Sequence, residues 1–400
     1  MINIIIHIGP PKTGTSAIQK WLKDHTDDLK QCGVYYPEHL EDSNGVSSGN
    51  LLSIFERTKN DYTFSVQRLE ALVKRTIALG CNTLLLSSEF FFNRLFKELK
   101  SLSNVKMIAY VRNPADLFES HYNQSVKRHG NVSAFKAHIA LPMQSIKLLG
   151  EYADVLGERF ILRAYHESLF VEGNIVSDFL YALKIPIKNV IKSRRVNNSY
   201  CLEALEVKRW FNAYDLRNHS NSLDRVLQAY KYGLSDFTFV NRNQFNDYKR
   251  QSIKRIKDLY EQSHFDNGLQ LVDLISQQEH SSFCKQEINK SQCEKVFLFI
   301  AQKNPNLLKR LALYVYAQPH VKNKSPFAES LFELVSPKEA LPNFAEYIKD
   351  CLYNRYGLSS PSDVEATPDK KASFREHASC LLQARFSLVA YIKAFIASYQ

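Results

Sequence analysis

The stretch Ile2-Asn3-Ile4-Ile5-Ile6-His7-Ile8-Gly9-Pro10-Pro11-Lys12-Thr13-Gly14-Thr15-Ser16 decides the fold. Ile2 to Ile8 is a nearly unbroken β-branched run of the kind found in a strand covered on both faces, and it stops at Gly9-Pro10-Pro11. From Thr15 the spacing turns helical, with Ile18, Trp21, Leu22 and Leu29 on one side and Lys20, Lys23 and Asp27 on the other. Strand, tight loop and helix follow directly. The backbone N–H groups of such a turn, with the open helix N-terminus, form an anion site. Gly14 permits close approach, Thr15 and Ser16 add hydroxyls, and Lys12 adds a full charge. A phosphate-binding NTPase loop reads Gly-x-x-x-x-Gly-Lys-[Ser/Thr]. Here the glycine spacing fits, but Thr15 follows Gly14 and the lysine stands two residues before it. A lysine so placed neutralises a bridging or leaving oxygen, and a β/γ-phosphate pair with magnesium is less well provided for.

The alternation continues outward. Strands are expected at Val34 to Tyr36, Thr83 to Leu86, Lys106 to Val111 and Arg159 to Leu162. Helices are expected at Leu51 to Thr58, Phe64 to Leu79, Phe90 to Leu99 and from Pro114 to about Arg128. The fold class is therefore α/β, a P-loop-like parallel sheet flanked by helices with right-handed crossovers. Ligands of such sheets sit outside the carboxyl ends of the strands. After Tyr200 the strand signal fades. Leu202 to Tyr214, Leu223 to Tyr232, Tyr248 to Glu261, Gln286 to Gln302, Leu307 to Tyr316, Lys338 to Leu352 and Phe374 to Ser398 read as helices, with a linker at Ser359 to Pro368. A boundary near residue 275 divides the chain into an α/β domain, 1–275, and a C-terminal helical extension, 276–400. Val196 to Ser199 and Glu287 to Ser291 each read as a helix N-cap.

A second constellation is Val111-Arg112-Asn113-Pro114-Ala115-Asp116-Leu117-Phe118-Glu119-Ser120-His121-Tyr122. Arg112 ends a strand, Pro114 suits the first turn of a helix, and Ser120 lies about two turns along it. A planar guanidinium and a hydroxyl together clamp one tetrahedral anion. Together the two segments resemble the sulfotransferase family that uses 3′-phosphoadenosine-5′-phosphosulfate (PAPS). Pro11 to Ser16 looks like that family's 5′-phosphosulfate loop, and Arg112 with Ser120 matches its 3′-phosphate pair. The wording from His7 to Gln19, with Gly33-Val34-Tyr35-Tyr36-Pro37 and Ser87-Ser88-Glu89, is most similar to bacterial members. The resemblance covers roughly residues 1–270 and implies PAPS bound by Lys12, Thr13, Gly14, Thr15, Ser16, Arg112 and Ser120, with no metal, and PAP as product.

Sulfuryl transfer needs a held donor, a base for the acceptor proton and charge on the leaving side, with positioning and electrostatics supplying most of the rate. Lys12 is the leaving-group residue. Glu89, at the ligand edge after Thr83 to Ser88, is the preferred base; pairing with Arg94 or a bridge to Lys12 is the competing reading of the same carboxylate. Some branches of the family use a histidine, which makes His7 and His121 rivals. Arg194, Arg195 and Asn197 form a further basic stretch, and the Ser43 to Asn50 loop is a contributor to the acceptor cleft. The family's bacterial members imply a carbohydrate or glycolipid acceptor. Two other readings stand beside this one, a polyanion-binding module that kept the fold without catalysis and a P-loop kinase.

Composition sets the outer limits. A hydrophobic share of 44 % with 23 % charged residues excludes a disordered chain. The net charge of +11 points to an anionic partner; nucleic acid is not expected, and peripheral contact with a membrane is compatible with it. Seven cysteines, odd in number and without a Cys-x-x-Cys pair, read as reduced thiols. No stretch reaches the ~18 apolar residues of a membrane span, and the opening residues lack a basic n-region. The expectation is a cytoplasmic protein.

Overall fold

The computed structural model describes residues 2–39, 47–59, 61–102, 104–186, 200–216, 218–317 and 326–335. The expected helices at 338–352 and 374–398, the linker at 359–368, the N-cap at 196–199, residues 194, 195 and 197, and 43–46 of the acceptor loop lie outside them. Eight strands are described: β1 Asn3–His7, β2 Val34–Tyr35, β3 Phe55–Arg57, β4 Tyr62–Phe64, β5 Thr83–Ser87, β6 Val105–Val111, β7 Phe160–Ala164 and β8 Phe265–Asp266. The helices of the first two hundred residues are α1 Thr15–Asp24, α2 Thr26–Gln31, α3 Leu51–Ile54, α4 Val66–Ala78, α5 Phe91–Arg94, α6 Pro114–Arg128, α7 Gln144–Leu156 and α8 Ile175–Ala182. They are followed by α9 Leu202–Phe211, α10 His219–Ala229, α11 Arg242–Gln262, α12 Gly268–Gln277, α13 Lys290–Lys303, α14 Pro305–Ala317 and α15 Pro326–Leu334.

Six strands form one sheet in the order β2-β5-β1-β6-β7-β8, and every pairing in it is parallel. Alternate residues of each strand enter two separate cores, as the two-residue period of a strand requires. Ile6, Leu84, Leu86, Met107, Ala109 and Leu162 pack on one face with residues of α7, α11 and α12. Ile5, Leu85, Ile108 and Tyr110 pack on the other with α1 and α8. The expected parallel sheet, helix-covered on both faces, is what the chain forms.

Two local expectations change. The helix expected from Leu51 to Thr58 lasts only to Ile54; Phe55–Arg57 then pairs antiparallel with Tyr62–Phe64, placing Phe55 opposite Phe64. Phe55 is 2 % exposed, and burial in the sheet-side core outweighs helix propensity. The strand signal does not end at residue 200 either: Phe265 and Asp266 pair with Leu162 and Arg163 as the edge strand β8. Two residues carry no period, so sequence patterning cannot see them. In space the residues group into two compact units, each drawn from separate stretches of chain. One compact unit draws on Met1–His121, Lys136–Asn198 and Thr238–Phe283, the other on Tyr122–Phe135, Ser199–Phe237 and Cys284–Gln400. Within the second unit α9 and α10 pack with α13, a long-range choice that periodicity does not encode. There Trp210 stacks on Phe327 at 5.3 Å, and the Asn289 capping box starts α13.

A buried ion pair fastens α8 to the sheet. Arg163 on β7 donates two bonds of 2.7 Å to Asp178, whose carboxylate also accepts Tyr110 Oη–H at 2.8 Å and the Val171 N–H at 3.2 Å. Asp178 is 1 % exposed. Asp178→Ala is expected to cost about 3–5 kcal/mol of stability by leaving a buried cation with half its partners. Urea unfolding of the variant checks it; a loss under about 1 kcal/mol is incompatible with a pair this enclosed.

Candidate active site

The loop between β1 and α1 carries two left-handed residues, Lys12 at φ 70 and Gly14 at φ 82. Gly14 has no alternative: besides its φ, a Cβ there would lie 3.0 Å from Ile175 and 3.1 Å from Tyr165. Lys12 pays the steric penalty of that conformation, about 1–2 kcal/mol, and strain of this kind gathers at ligand-binding sites. Arg112 holds the turn from the side by donating from Nη1 to the Lys12 carbonyl at 3.0 Å. Thr13 is buried and donates to the Pro10 carbonyl at 2.6 Å. Ala17 and Ile18 make the first amide bonds of α1, both to the Gly14 carbonyl. The amides before them are the ones a helix start leaves without intrahelical acceptors. Thr15 is buried with its hydroxyl turned toward Gly9, whereas Ser16 is exposed.

Glu89 follows β5 by two residues and is half-buried. Burial pushes its carboxyl above the usual carboxylate range, and the Lys12 charge opposes that rise. Arg94 pairs with Asp61 at 3.5 Å. Arg112 follows β6, and Asn113 caps α6 by accepting the Ala115 N–H at 3.1 Å. Ser120 stands six residues after Pro114, ~9 Å along the axis at 1.5 Å per residue. His121, on the same helix, is exposed; desolvation lowers its pKa, and the charges of Lys12 and Arg112 lower it further. Lys12 thus acts on Glu89 and on His121, and Arg112 acts on His121. The carboxyl edges of β1, β5 and β6 bring these four side chains into one electrostatic neighbourhood.

His7 stands apart from them. It is fully buried, its pKa is lowered to about 3 by desolvation, and its ring packs 5.1 Å from Phe179. A group shut away from solvent has no path to an acceptor proton, so His7 is no base.

Two participants were not foreseen. Tyr165, one residue past β7, lies under the Arg112 guanidinium at 5.5 Å and beside Gly14; the rule that ligands meet strand ends would have flagged it. Asn50 is fully buried, takes the Ser87 N–H on its side-chain oxygen at 2.9 Å and returns its own N–H to the Ser87 carbonyl at 2.9 Å. It completes β5 beyond the point where β2 ends, a long-range partnership with no local signature.

The donor set fits a doubly anionic nucleotide: a strained loop at a helix start, a lysine within it and an arginine beside it. Residues 3–176 match the family described as the sulfotransferase domain. The match runs from β1 into α8 and marks that segment as a sulfotransferase domain, the kind of domain that carries sulfuryl transfer. No curated protein matches the chain, and no solved structure does. Among the described residues no cluster of His, Cys, Asp and Glu could hold a metal ion, and no helix is long and apolar enough to cross a membrane.

Proposed function

We propose that this protein transfers the sulfuryl group of PAPS to a hydroxyl or amine of a carbohydrate or glycolipid acceptor. The carrying observation is the convergence of Lys12, Glu89, Arg112 and His121 at the carboxyl edge of three adjacent parallel strands. The Lys12 to Ser16 turn would hold the 5′-phosphosulfate, and Arg112 with Ser120 the 3′-phosphate. When bound, the donor supplies an activated sulfuryl group. Glu89 takes the acceptor proton on a carboxylate oxygen, Lys12 Nζ neutralises charge on the departing oxygen, and Tyr165 keeps the Arg112 plane in place. Positioning and fixed charge do the work. The carbohydrate class rests on the likeness to bacterial members, and a screen of glycans with labelled donor tests it. The cytoplasm is the proposed compartment, in keeping with five free cysteines among the described residues.

His121 is the one rival base that an observation favours: its lowered pKa leaves it neutral near pH 7, beside Lys12.

Calorimetry with adenosine 3′,5′-bisphosphate tests the donor. The wild type should bind it, and Arg112→Ala should weaken binding about 10–100-fold, the worth of one or two charge-assisted hydrogen bonds. Failure of the wild type to bind, or binding of magnesium-ATP in its place, defeats the proposal.

A further inference from the structure

His7 is too enclosed to be a base, yet its polar atoms are placed with care. Nδ1 lies 2.8 Å from Ser87 Oγ, and the His7 carbonyl accepts the Ser88 N–H at 3.2 Å. The end of β5, two residues before Glu89, is thus tied to His7 through both side chain and backbone. The other ring nitrogen, Nε2, is buried and has no hydrogen-bond partner among the described residues; the same holds for Thr15 Oγ1 in the donor loop. His7 and Thr15 are 0 % and 3 % exposed. Both orphaned atoms face the bare Cα of Gly9, where a Cβ would stand 2.6 Å from Thr15 Oγ1 and 2.9 Å from His7 Nε2. Buried polar atoms left unpaired are costly and uncommon, and two of them converging on one glycine mark a shared purpose.

We propose that His7 is a positioning residue: its Nδ1 grips Ser87, and its Nε2, unpaired in this structure, pairs with the equally unpaired Thr15 hydroxyl across Gly9 when the donor binds, so that the donor loop and the Glu89 strand end are then held in one register. The inference rests on the function proposed above and adds to it a residue that touches neither substrate nor reacting atoms. The neutral ring suits the task, since it presents one donor and one acceptor, one toward each loop. Gly9 is required because any side chain would fill the space between the two atoms.

Three variants separate the halves of this link. His7→Asn keeps an amide near Nδ1, His7→Gln reaches the Nε2 position, and His7→Phe keeps neither. The expected result for His7→Gln is bisphosphate affinity within about twofold of wild type and kcat lower by about tenfold, the worth of one hydrogen bond's registration. For His7→Asn, affinity itself should fall about tenfold as the Thr15 side is released. His7→Phe should show both losses. Melting temperature is followed in parallel. Variants with wild-type kcat and affinity overturn the proposal, as do losses that merely track a fall in melting temperature. A measurement on the unmutated protein guards against variants that do not fold: the 15N ring resonances of His7 should stay neutral from pH 5 to 8 and shift when bisphosphate is added. Bisphosphate binding without such a shift overturns the inference alone; no bisphosphate binding overturns it together with the donor assignment.

Discussion

Glu89→Gln is expected to lower transfer by about 10²–10⁴-fold, the usual range for removing a general base, while bisphosphate affinity stays nearly unchanged. The substitution preserves shape and removes the negative charge facing Lys12 together with the ability to accept a proton. Its pH signature is equally specific. Because burial raises the Glu89 pKa, the wild-type rate should fall on acidification with a midpoint above the ordinary carboxylate value, and the variant's residual rate should lose that limb. The stability consequence has the opposite sign to that of a paired carboxylate. A folded-state pKa above the unfolded one means the native state holds its proton more tightly, so ionised Glu89 weakens the fold at neutral pH. Glu89→Gln should therefore melt no lower than wild type at pH 7. Steady-state rates across pH, with melting curves, check all three. Full activity in the variant transfers the role of base to His121.

Lys12→Ala should cost about 10²–10³-fold in kcat, as for loss of one preorganised charge on a developing anion, and should also weaken bisphosphate binding. The electrostatics predict a second effect. Lys12 holds the Glu89 pKa down and the His121 pKa down; without it both should rise. The acid limb of the residual rate should move to higher pH, and the His121 ring should titrate at higher pH in proton NMR. An unchanged His121 titration would separate Lys12 from this neighbourhood and remove the argument for its placement.

Much of this was legible along the chain. The β-branched run ending at Gly9, the loop to Ser16 and the strand end at Arg112 are local patterns, each set by covalent geometry and burial period, and each is where the sequence places it. Glu89 could be nominated because β5 is a strand that stops just before it. The role of His7 could not be read. Its ring is chemically the same as that of His121, and only the tertiary fold, by packing Phe179 of α8 against one and leaving the other exposed, makes one a buried link and the other a solvent-facing histidine. Asn50 was invisible for a related reason: it acts through Ser87, a partner tens of residues away, whereas Tyr165 could have been nominated from its place at the end of β7.

The net charge of +11 shows the same division. Composition alone implies an anionic partner. Arg112 reaches the Lys12 carbonyl only because β1 and β6 are hydrogen-bonded parallel neighbours. The strand-loop-helix unit, its lysine and its glycines follow from local residue order, since they depend on neighbouring residues and on periodic burial. Tertiary structure alone decided which carboxylate meets that lysine, which histidine is sealed and which asparagine completes the sheet, because pairing of distant strands follows from packing two cores at once and is written in no single segment.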